Sequence, residues 1–393
     1  MKKPGTTIVM TGGGSGGHIT PILAVAHEVK QIDSGTRIYY VGQTGDSLGD
    51  IPAQHPSIDE VYTVRAGKLR RYHGEGWRQL LDIPTVLKNI RDLWLVFVGF
   101  WQALVLLRKL RPSAIFIKGG FVGVPVGLAA AVLRIPYVTH DSDALPGLAN
   151  RIIAPWAEMH AVALPKEIYA YPPEKTITVG VPISHEYATL STKQQTEVKK
   201  QLGLPPDSRV LLVTGGGLGA QRLNFAVADC LPQLLARYKD LVVVQLVGRA
   251  NETGFRQYLK KHLTLPEQKR VHVKGFITNL YQYSGVADVV ITRAGGTSMA
   301  EFAAQSKACV VVPNPILAGG HQLKNAQVLA EQRAVIILPN DKLVADHSAL
   351  MPVLTDLLDN PKKIAQLGTQ LHKMAQSDAA KQLAVVLLKV EQK

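Results

Sequence analysis

The stretch Ile8-Val9-Met10-Thr11-Gly12-Gly13-Gly14-Ser15-Gly16-Gly17-His18, followed by the apolar segment Ile22-Leu23-Ala24-Val25-Ala26, indicates the fold of this chain. A short apolar run, a glycine-rich loop and a segment of helical periodicity predict a strand, a tight turn and the start of a helix. Glycines let the backbone adopt positive φ and approach a ligand closely, and the first amides of a helix offer donors to an anion. The motif therefore predicts a phosphate-binding turn.

Two common nucleotide sites do not fit this loop. A Walker loop needs Lys and then Ser or Thr after the last glycine, whereas this chain has His18-Ile19. A nicotinamide site needs an acidic residue at the end of the second strand, whereas residues 37–41 are followed by Gly42-Gln43-Thr44. Neither an ATPase nor a dehydrogenase is favoured. Ordinary packing between a strand and a helix stays open as an alternative.

The second half of the chain repeats the pattern, in the run Val210-Leu211-Leu212-Val213-Thr214-Gly215-Gly216-Gly217-Leu218-Gly219-Ala220. Further short apolar runs alternate with helical segments, which predicts parallel strands joined by crossover helices. We therefore expect an α/β protein with two Rossmann-like, doubly wound parallel-sheet domains that face each other across a cleft. The expected domains are residues 1–183 and 184–370. A C-terminal helix at residues 371–393 is expected to return its apolar face to the first domain.

Composition and charge narrow the class of protein. The chain has 393 residues, too many for one core, and a net charge of +14, which implies an anionic partner. Only 6% of residues are aromatic, without a base-stacking pattern, so we expect no nucleic acid. The two cysteines, Cys230 and Cys309, lie in apolar surroundings, and no metal-ligand motif is found in the sequence. We therefore expect no metal. We also expect a cytoplasmic protein, since no cleavable signal segment precedes the first strand.

Residues 65–111 raise the question of a membrane. The apolar run between Asp92 and Arg108 would span about 22 Å as a helix, short of the roughly 30 Å hydrocarbon core, so we expect no crossing. Two alternatives stay open: a helix buried against the sheet, and a monotopic contact with tryptophans and basic residues at the headgroups. We expect contact with an anionic membrane surface, with the later helix mostly in the core. The residues expected to make this contact are Arg70, Arg71, Trp77, Leu80 and Leu81.

Two further segments in the first half place polar groups at strand ends. Gly119-Gly120-Phe121-Val122-Gly123 follows a predicted strand and forms a second wall of the expected cleft. His140-Asp141-Ser142-Asp143 follows the next strand, at the carboxyl end where doubly wound folds bind ligands. The carboxylates have an alternative role as caps of a helix at residues 145–153.

A third segment, in the second half, suits a nucleotide diphosphate. Arg293-Ala294-Gly295-Gly296-Thr297-Ser298-Met299-Ala300-Glu301 brings small residues and hydroxyls to a helix start, with Glu301 able to accept from a ribose hydroxyl. The alternative is that Thr297 or Ser298 caps the helix and Glu301 completes a capping box. Gly319-Gly320-His321-Gln322 is expected to form a loop at the same edge of the cleft as this helix start.

Taken together, these blocks resemble the MurG family, the lipid II-forming N-acetylglucosaminyltransferases of bacterial cell-wall synthesis. The resemblance rests on residues 13–18 with Pro21, on residues 295–301, and on His321-Gln322 with Asn325-Ala326, in the same order and spacing. It implies a GT-B fold in which the C-terminal domain binds UDP-N-acetylglucosamine. The N-terminal domain would bind the acceptor, undecaprenyl-diphosphate-muramoyl-pentapeptide, at the cytoplasmic face of the membrane.

The resemblance also implies roles for individual residues. The donor UDP-N-acetylglucosamine would be bound by Gly217, Leu218, Ile277, Gly296, Thr297, Ser298, Glu301, His321 and Gln322. The acceptor diphosphate would be bound by Gly13, Gly14, Ser15, Gly16, Gly17, Gly119 and Gly120. His18 is the expected base for the acceptor hydroxyl, because its ordinary pKa lies near neutral pH. Asp143 is an alternative base, and His18 would then only hydrogen-bond a phosphate.

Three departures from the family pattern affect the expected site. Asp143 replaces an amide, Ser184 replaces an arginine expected near phosphate, and Gly217-Leu218 replaces Ser-Gln. Two other functions therefore stay open. One is a related transferase acting on a diacylglycerol or another polyprenyl-diphosphate acceptor. The other is an inactive UDP-sugar-binding scaffold at the membrane.

Overall fold

The structure, a computed structural model, describes residues 6–14, 16–46, 48–68, 82–216, 219–315 and 320–391. The strands in these residues are β1 (Thr7–Thr11), β2 (Arg37–Gln43), β3 (Glu60–Val64), β4 (Ala114–Ile117), β5 (Tyr137–Asp141), β6 (Met159–Val162), β7 (Thr176–Thr178), β8 (Arg209–Thr214), β9 (Leu241–Leu246), β10 (Val271–Lys274), β11 (Val289–Thr292), β12 (Ala308–Val311) and β13 (Ile336–Ile337). The α-helices are α1 (Gly16–Ile32), α2 (Asp50–Ala53), α3 (Ile83–Leu110), α4 (Gly123–Leu133), α5 (Leu148–Ile153), α6 (Thr192–Gln201), α7 (Gln221–Arg237), α8 (Glu252–His262), α9 (Leu265–Gln268), α10 (Leu280–Gly285), α11 (Gly296–Ala304), α12 (His321–Glu331), α13 (Asn340–Ala345), α14 (Leu350–Leu358), α15 (Pro361–His372) and α16 (Ala379–Val390).

The chain divides into two compact units. Of the described residues, the first unit holds those within Met1–Ser184, Ile316–His321 and Gln376–Lys393. The second unit holds those within His185–Pro315 and Gln322–Ala375. The chain therefore passes into the second unit after Ser184, one residue beyond the expected boundary, and the first unit takes the C-terminal residues from Gln376 onward.

The first unit contains a seven-stranded parallel sheet in the order β3-β2-β1-β4-β5-β6-β7. Its central strands are apolar and buried on both faces, as expected of a parallel sheet covered by helices. The strand order reverses between β1 and β4, where Thr11 pairs with Ile117. Since ligands bind beyond the carboxyl ends of strands at such a reversal, the turns after β1 and β4 are the favoured position for a site.

The C-terminal helix α16 belongs to the first unit and packs against α1. Leu383, Leu387 and Val390 are buried in one cluster with α1 residues such as Ile22 and Val25. The i, i+4, i+7 spacing of these three residues puts them on one face of α16, which explains why this end of the chain is held in the first core.

The second unit repeats the architecture with a six-stranded parallel sheet in the order β10-β9-β8-β11-β12-β13. Here the order reverses between β8 and β11, and Thr214 pairs with Thr292. The second glycine turn and the segment that begins at Arg293 therefore leave the sheet side by side. Two doubly wound parallel sheets confirm the predicted fold class.

Helix α3 is longer than expected for the segment that raised the question of a membrane. It has 28 residues, about 42 Å at 1.5 Å per residue, so the argument that this segment is too short to cross a bilayer was wrong. Asp82 caps its start by accepting from Thr85 N at 3.3 Å, and Arg111 ends it with φ 49°. By length and composition alone, α3 is able to span a membrane.

The expectation that the later part of α3 lies mostly in the core was also wrong. One face is buried, with Ala103, Leu104 and Leu107 in a cluster shared with the sheet and α4. Between Leu93 and Val105, in the later part of the helix, five large apolar side chains are more than half exposed. These five residues, the apolar face of α3, are Leu93, Trp94, Phe97, Trp101 and Val105. The predicted contact residues Arg70, Arg71, Trp77, Leu80 and Leu81 lie outside the described residues.

Candidate active site

Two glycine turns meet at the strand reversal of the first unit. Gly14 has φ +81° and Gly120 has φ +78°, which only glycine adopts without strain. A Cβ on Gly120 would lie 2.7 Å from the Gly13 carbonyl oxygen, so the backbones of the two turns are in contact. The Gly14 N–H donates to Asp46 Oδ2 at 3.2 Å. One amide of this loop is therefore bonded within the fold, and phosphate binding by the turn stays a prediction. Ser15 lies outside the described residues.

His18 is the third residue of α1 and stands beside the second glycine turn. A Cβ on Gly120 would lie 3.5 Å from its Nδ1 atom. Burial lowers the pKa of His18 to about 4; the Lys118 and Lys68 ammonium groups act in the same direction, and the Asp143 carboxylate opposes them. The ring is therefore neutral at pH 7 and has a lone pair that accepts a proton.

Sequence reasoning missed Lys118, which directly follows β4 and is only 3% exposed. Burial lowers the pKa of Lys118 to about 8, and the Asp141 and Asp143 carboxylates oppose this shift. The side chain is mainly protonated at pH 7, so the first unit holds a buried positive charge at its strand reversal. The signal was in the sequence, since an ionisable residue stands between an apolar strand and Gly119-Gly120.

The two carboxylates of the His140-Asp141-Ser142-Asp143 segment have different surroundings. Asp141 is buried and accepts three hydrogen bonds, from Gly147 N at 3.0 Å, Asn150 Nδ2 at 3.0 Å and Tyr171 Oη at 2.8 Å. Burial raises the pKa of Asp141. Asp143 is half-buried and interacts with both His18 and Lys118. Asp143 is therefore the carboxylate near the candidate base, whereas Asp141 holds the loop.

Neither carboxylate is the cap residue of the next helix, because α5 begins at Leu148 with Gly147 as its cap. Of the described backbone amides at this helix start, Asp141 bonds only to the N–H of that cap residue. The segment instead supports a site through His140, whose Nε2 donates to the Gly180 carbonyl at 2.8 Å. Burial lowers the pKa of His140, so its Nδ1 carries a lone pair, and this buried atom has no hydrogen-bond partner among the described residues.

In the second unit, the helix that was predicted to bind a diphosphate is α11. Its cap is Gly295, which has no side chain, so the alternative of a capping box between Thr297 or Ser298 and Glu301 is wrong. Thr297 and Glu301 are four residues apart, lie on one face of the helix and are both buried. Gly296 and Ser298 complete the first turn and are half-buried. The first turn of α11 thus brings its amides to the carboxyl end of β11.

Glu301 is 5% exposed, and burial raises its pKa to about 8. Tyr187 hydrogen-bonds this carboxyl group, a contact that sequence reasoning did not identify, because the two residues are far apart in the chain. Tyr187 also packs edge-on against Tyr281, with ring centroids 6.2 Å apart. Glu301 is therefore mainly protonated at pH 7 and able to donate as well as accept.

The remaining predicted donor residues are placed as follows. Gln322 is buried, and its Oε1 accepts from Asn314 N at 2.9 Å. Asn325 Nδ2 donates to the Ala294 carbonyl at 3.0 Å, which holds α12 beside the start of α11. Ile277 is half-buried in the core of the second unit. His321 is grouped with the first unit, and Gly217 and Leu218 lie outside the described residues.

Two protein-family profiles match the chain in succession. The glycosyltransferase family 28 N-terminal domain matches residues 8–162, and the glycosyltransferase family 28 C-terminal domain matches residues 210–383. A UDP-N-acetylglucosamine–N-acetylmuramyl-(pentapeptide) pyrophosphoryl-undecaprenol N-acetylglucosamine transferase of Bacillus thuringiensis is 33% identical over 84% of this chain and 85% of its own length. The chain belongs to the MurG family.

Other MurG-type proteins extend the similarity to both ends of the chain. The transferase of the same name from Moorella thermoacetica is 29% identical and covers 97% of this chain and 98% of its own length. The crystal structure of Acinetobacter baumannii MurG superimposes with a TM-score of 0.70 at 23% identity, over 98% of this chain and 99% of that one. The GT-B fold is thereby confirmed, and the chain is a glycosyltransferase, as predicted.

Proposed function

We propose that this chain transfers N-acetylglucosamine from UDP-N-acetylglucosamine to lipid-linked muramoyl-pentapeptide, with inversion, and so converts lipid I to lipid II in peptidoglycan synthesis. The observation that carries the proposal is the match to MurG-type transferases over nearly the whole chain. The two strand reversals support it with complementary chemistry. One holds a neutral imidazole and a buried ammonium, and the other holds a helix start capped by a glycine and a buried carboxyl.

His18 takes the proton of the acceptor hydroxyl in this proposal. The ring is neutral in the free protein, and binding of an anionic diphosphate nearby would raise its pKa and strengthen it as a base. Asp143 is the alternative base, because it is the half-buried carboxylate that interacts with His18. The glycine turns at Gly13, Gly14, Gly119 and Gly120 bring backbone close to the acceptor diphosphate.

The second unit holds the donor. The amides at the start of α11, with Thr297 and Ser298, bind the UDP diphosphate and stabilise it as the leaving group. Glu301 binds the ribose hydroxyls. Gln322 binds the transferred sugar through its side-chain nitrogen Nε2, since its Oε1 already accepts a hydrogen bond from Asn314 N. Because helix amides supply the stabilisation, we expect transfer to continue in EDTA.

The first unit contacts an anionic membrane surface at the cytoplasmic face, through the apolar face of α3. The face is continuous with an apolar groove of about 530 Å³ between α3 and α4, lined by residues that include Phe100, Val132 and Trp156. Trp94 stacks on Phe97, with ring centroids 5.4 Å apart, so the exposed aromatics form one surface. Large exposed aromatics on one side of a helix suit the boundary between headgroups and acyl chains.

Transfer of radiolabelled N-acetylglucosamine to a lipid I analogue tests the reaction. Product from the full chain, with none from a variant carrying both His18→Ala and Asp143→Ala, supports the proposal. Parallel assays with diacylglycerol and with other polyprenyl-diphosphate sugars separate the related transferases. Calorimetry that shows UDP binding while no acceptor is glycosylated would instead identify an inactive scaffold.

A further inference from the structure

The described residues include three buried lysines, and they differ in what their ammonium groups bond. Lys199 is 8% exposed and donates to the Ser208 carbonyl at 2.6 Å. Lys307 is 6% exposed and donates to the Gly285 and Ala287 carbonyls at 2.7 and 3.1 Å. Lys118 is more buried than either, at 3%, and no described residue accepts a hydrogen bond from its Nζ. The Asp141 and Asp143 carboxylates act on the charge of Lys118, but an ammonium so little exposed to water and without a hydrogen-bond acceptor is unfavourable. Of the three, Lys118 is therefore the one with hydrogen-bonding capacity left for a ligand.

The position of Lys118 points to a ligand. It directly follows β4 at the strand reversal, and its Cβ would lie 3.4 Å from a Cβ built on Gly12, in the first glycine turn. Its charge acts on His18, on His140 and on the Asp141 and Asp143 carboxylates, so the ammonium lies among all four.

Other atoms at the same edge also lack partners. Nδ1 of His140, Oγ of Ser142 and Oδ1 of Asn150 are buried and bond to no atom in the described part of the chain. Of the five such side-chain atoms found there, these three belong to the end of β5, to the segment that follows it and to helix α5. A polar ligand that reaches this edge would therefore meet a cation and several unused hydrogen-bonding groups at once.

We infer that Lys118 binds the diphosphate of the lipid-linked acceptor and fixes it beside the glycine turns and His18. This inference rests on the proposed function for the identity of the acceptor. A diphosphate supplies the hydrogen-bond acceptors that Nζ lacks, and its charge offsets the buried ammonium. Because the lysine is mainly protonated at pH 7, it has no lone pair with which to act as a base, so it binds and positions the substrate.

Calorimetry with the full chain tests the inference, with farnesyl diphosphate as the probe. Lys118→Met keeps the length and apolar stem of the side chain and removes the charge. We expect it to weaken farnesyl diphosphate binding by about 10- to 100-fold while UDP binding stays the same. Inorganic pyrophosphate distinguishes a site for a lipid-linked diphosphate from a site for a free one. It should bind more weakly than farnesyl diphosphate. Equal binding of the two would overturn the assignment to a lipid-linked ligand.

Lys307→Met is the matched control, since it removes a buried ammonium that is already bonded within the fold. It should lower the melting temperature and leave farnesyl diphosphate binding intact, whereas Lys118→Met should not lower the melting temperature. If Lys118→Met does not fold, Lys118→Gln replaces it, with the same expectations for binding. Unchanged farnesyl diphosphate binding in a folded Lys118 variant overturns the inference.

The transfer assay keeps this inference separate from the proposed reaction. If farnesyl diphosphate binding depends on Lys118 but the full chain makes no lipid-linked product, the diphosphate assignment stands and the reaction fails. If the full chain makes product and Lys118→Met retains the same KM for the acceptor, the reaction stands and the role of Lys118 is wrong.

Discussion

The two units use the same fold but leave different buried ionisable groups near the strand reversal for a ligand. In each unit a basic residue directly follows the strand beyond the reversal: Lys118 after β4 and Arg293 after β11. Arg293 donates to the Val312 carbonyl at 2.9 Å and to Asn340 Oδ1 at 2.8 Å, so the second unit uses its cation as structure. The buried group left for a ligand there is the Glu301 carboxyl, whereas in the first unit it is the Lys118 ammonium.

The difference shows how one fold serves two substrates. A buried carboxyl suits sugar hydroxyls, and in the proposed reaction the uncharged amides at a helix start bind the diphosphate of the donor. A buried ammonium suits an anion directly, and it adds to the effect of burial, which lowers the pKa of the neighbouring His18. The units are also unlike on their surfaces, because the apolar face of α3 belongs to the first unit.

The largest expected effect is on the chemistry of the first unit. His18→Ala removes the proposed base, and the transfer rate should fall by about 10²- to 10⁴-fold, the usual contribution of general base catalysis. Radiolabelled product from the lipid I analogue measures the rate, and an unchanged melting temperature shows that the variant is folded. Asp143→Asn is the companion variant. If it loses the rate while His18→Ala retains it, Asp143 is the base.

The next effect concerns the buried carboxyl of the second unit. The pKa of Glu301 is raised from 4.5 to about 8 in the folded chain, so the stability associated with its protonated form is fully present below pH 4.5 and is lost as pH rises through 8. Glu301→Gln stays neutral. It should stabilise the chain by on the order of 3 kcal/mol at pH 9 and by much less at pH 5.

Urea unfolding at pH 5 and pH 9 measures this effect. Glu331→Gln is the control, because Glu331 is exposed and its carboxylate stays in water. The control should leave the difference between the unfolding free energies at pH 5 and pH 9 unchanged. If Glu301→Gln and the wild type show the same difference in unfolding free energy between pH 5 and pH 9, the carboxyl is ionised in the folded chain.

A third prediction concerns the surfaces of the two units. Phe97→Ser and Trp101→Ser remove two aromatics that are about half exposed on α3, and each should weaken vesicle binding by about tenfold. Flotation with anionic vesicles measures binding. Leu265→Ser removes an even more exposed apolar side chain from the second unit, and it should have no effect. Equal losses for all three variants would mean that the membrane contact is not confined to α3.

The smallest expected effect is a difference in stability between alanine substitutions in a glycine turn of the first unit and in one of the second unit. Gly120 and Gly216 both have positive φ, +78° and +84°, so alanine costs about 1 kcal/mol at either position. At Gly120 the new Cβ would also lie 2.7 Å from the Gly13 carbonyl, whereas at Gly216 it would meet no atom within 4 Å. Gly120→Ala should therefore cost about 1–2 kcal/mol more in urea unfolding. Equal costs would show that the first pair of turns is free to separate.

The sequence by itself determined the repeated strand, turn and helix pattern, because glycine position and apolar periodicity are local properties that the backbone follows directly. It also led to His18, Asp143 and the α11 segment through their positions after strands. It misjudged α3, because a stretch of apolar residues does not say which side of a helix finds a partner. The start and the end of that helix depend on capping by Asp82 and Arg111, respectively, rather than on hydrophobicity.

Only the tertiary structure decided which polar groups are used within the fold and which remain for a ligand. Asp141 is bonded by Tyr171, 30 residues away, and Glu301 is bonded by Tyr187. Lys307 finds two carbonyls, while Lys118 finds none among the described residues. Burial and hydrogen bonding depend on neighbours that are distant in the chain, so residues of the same type acquire different roles.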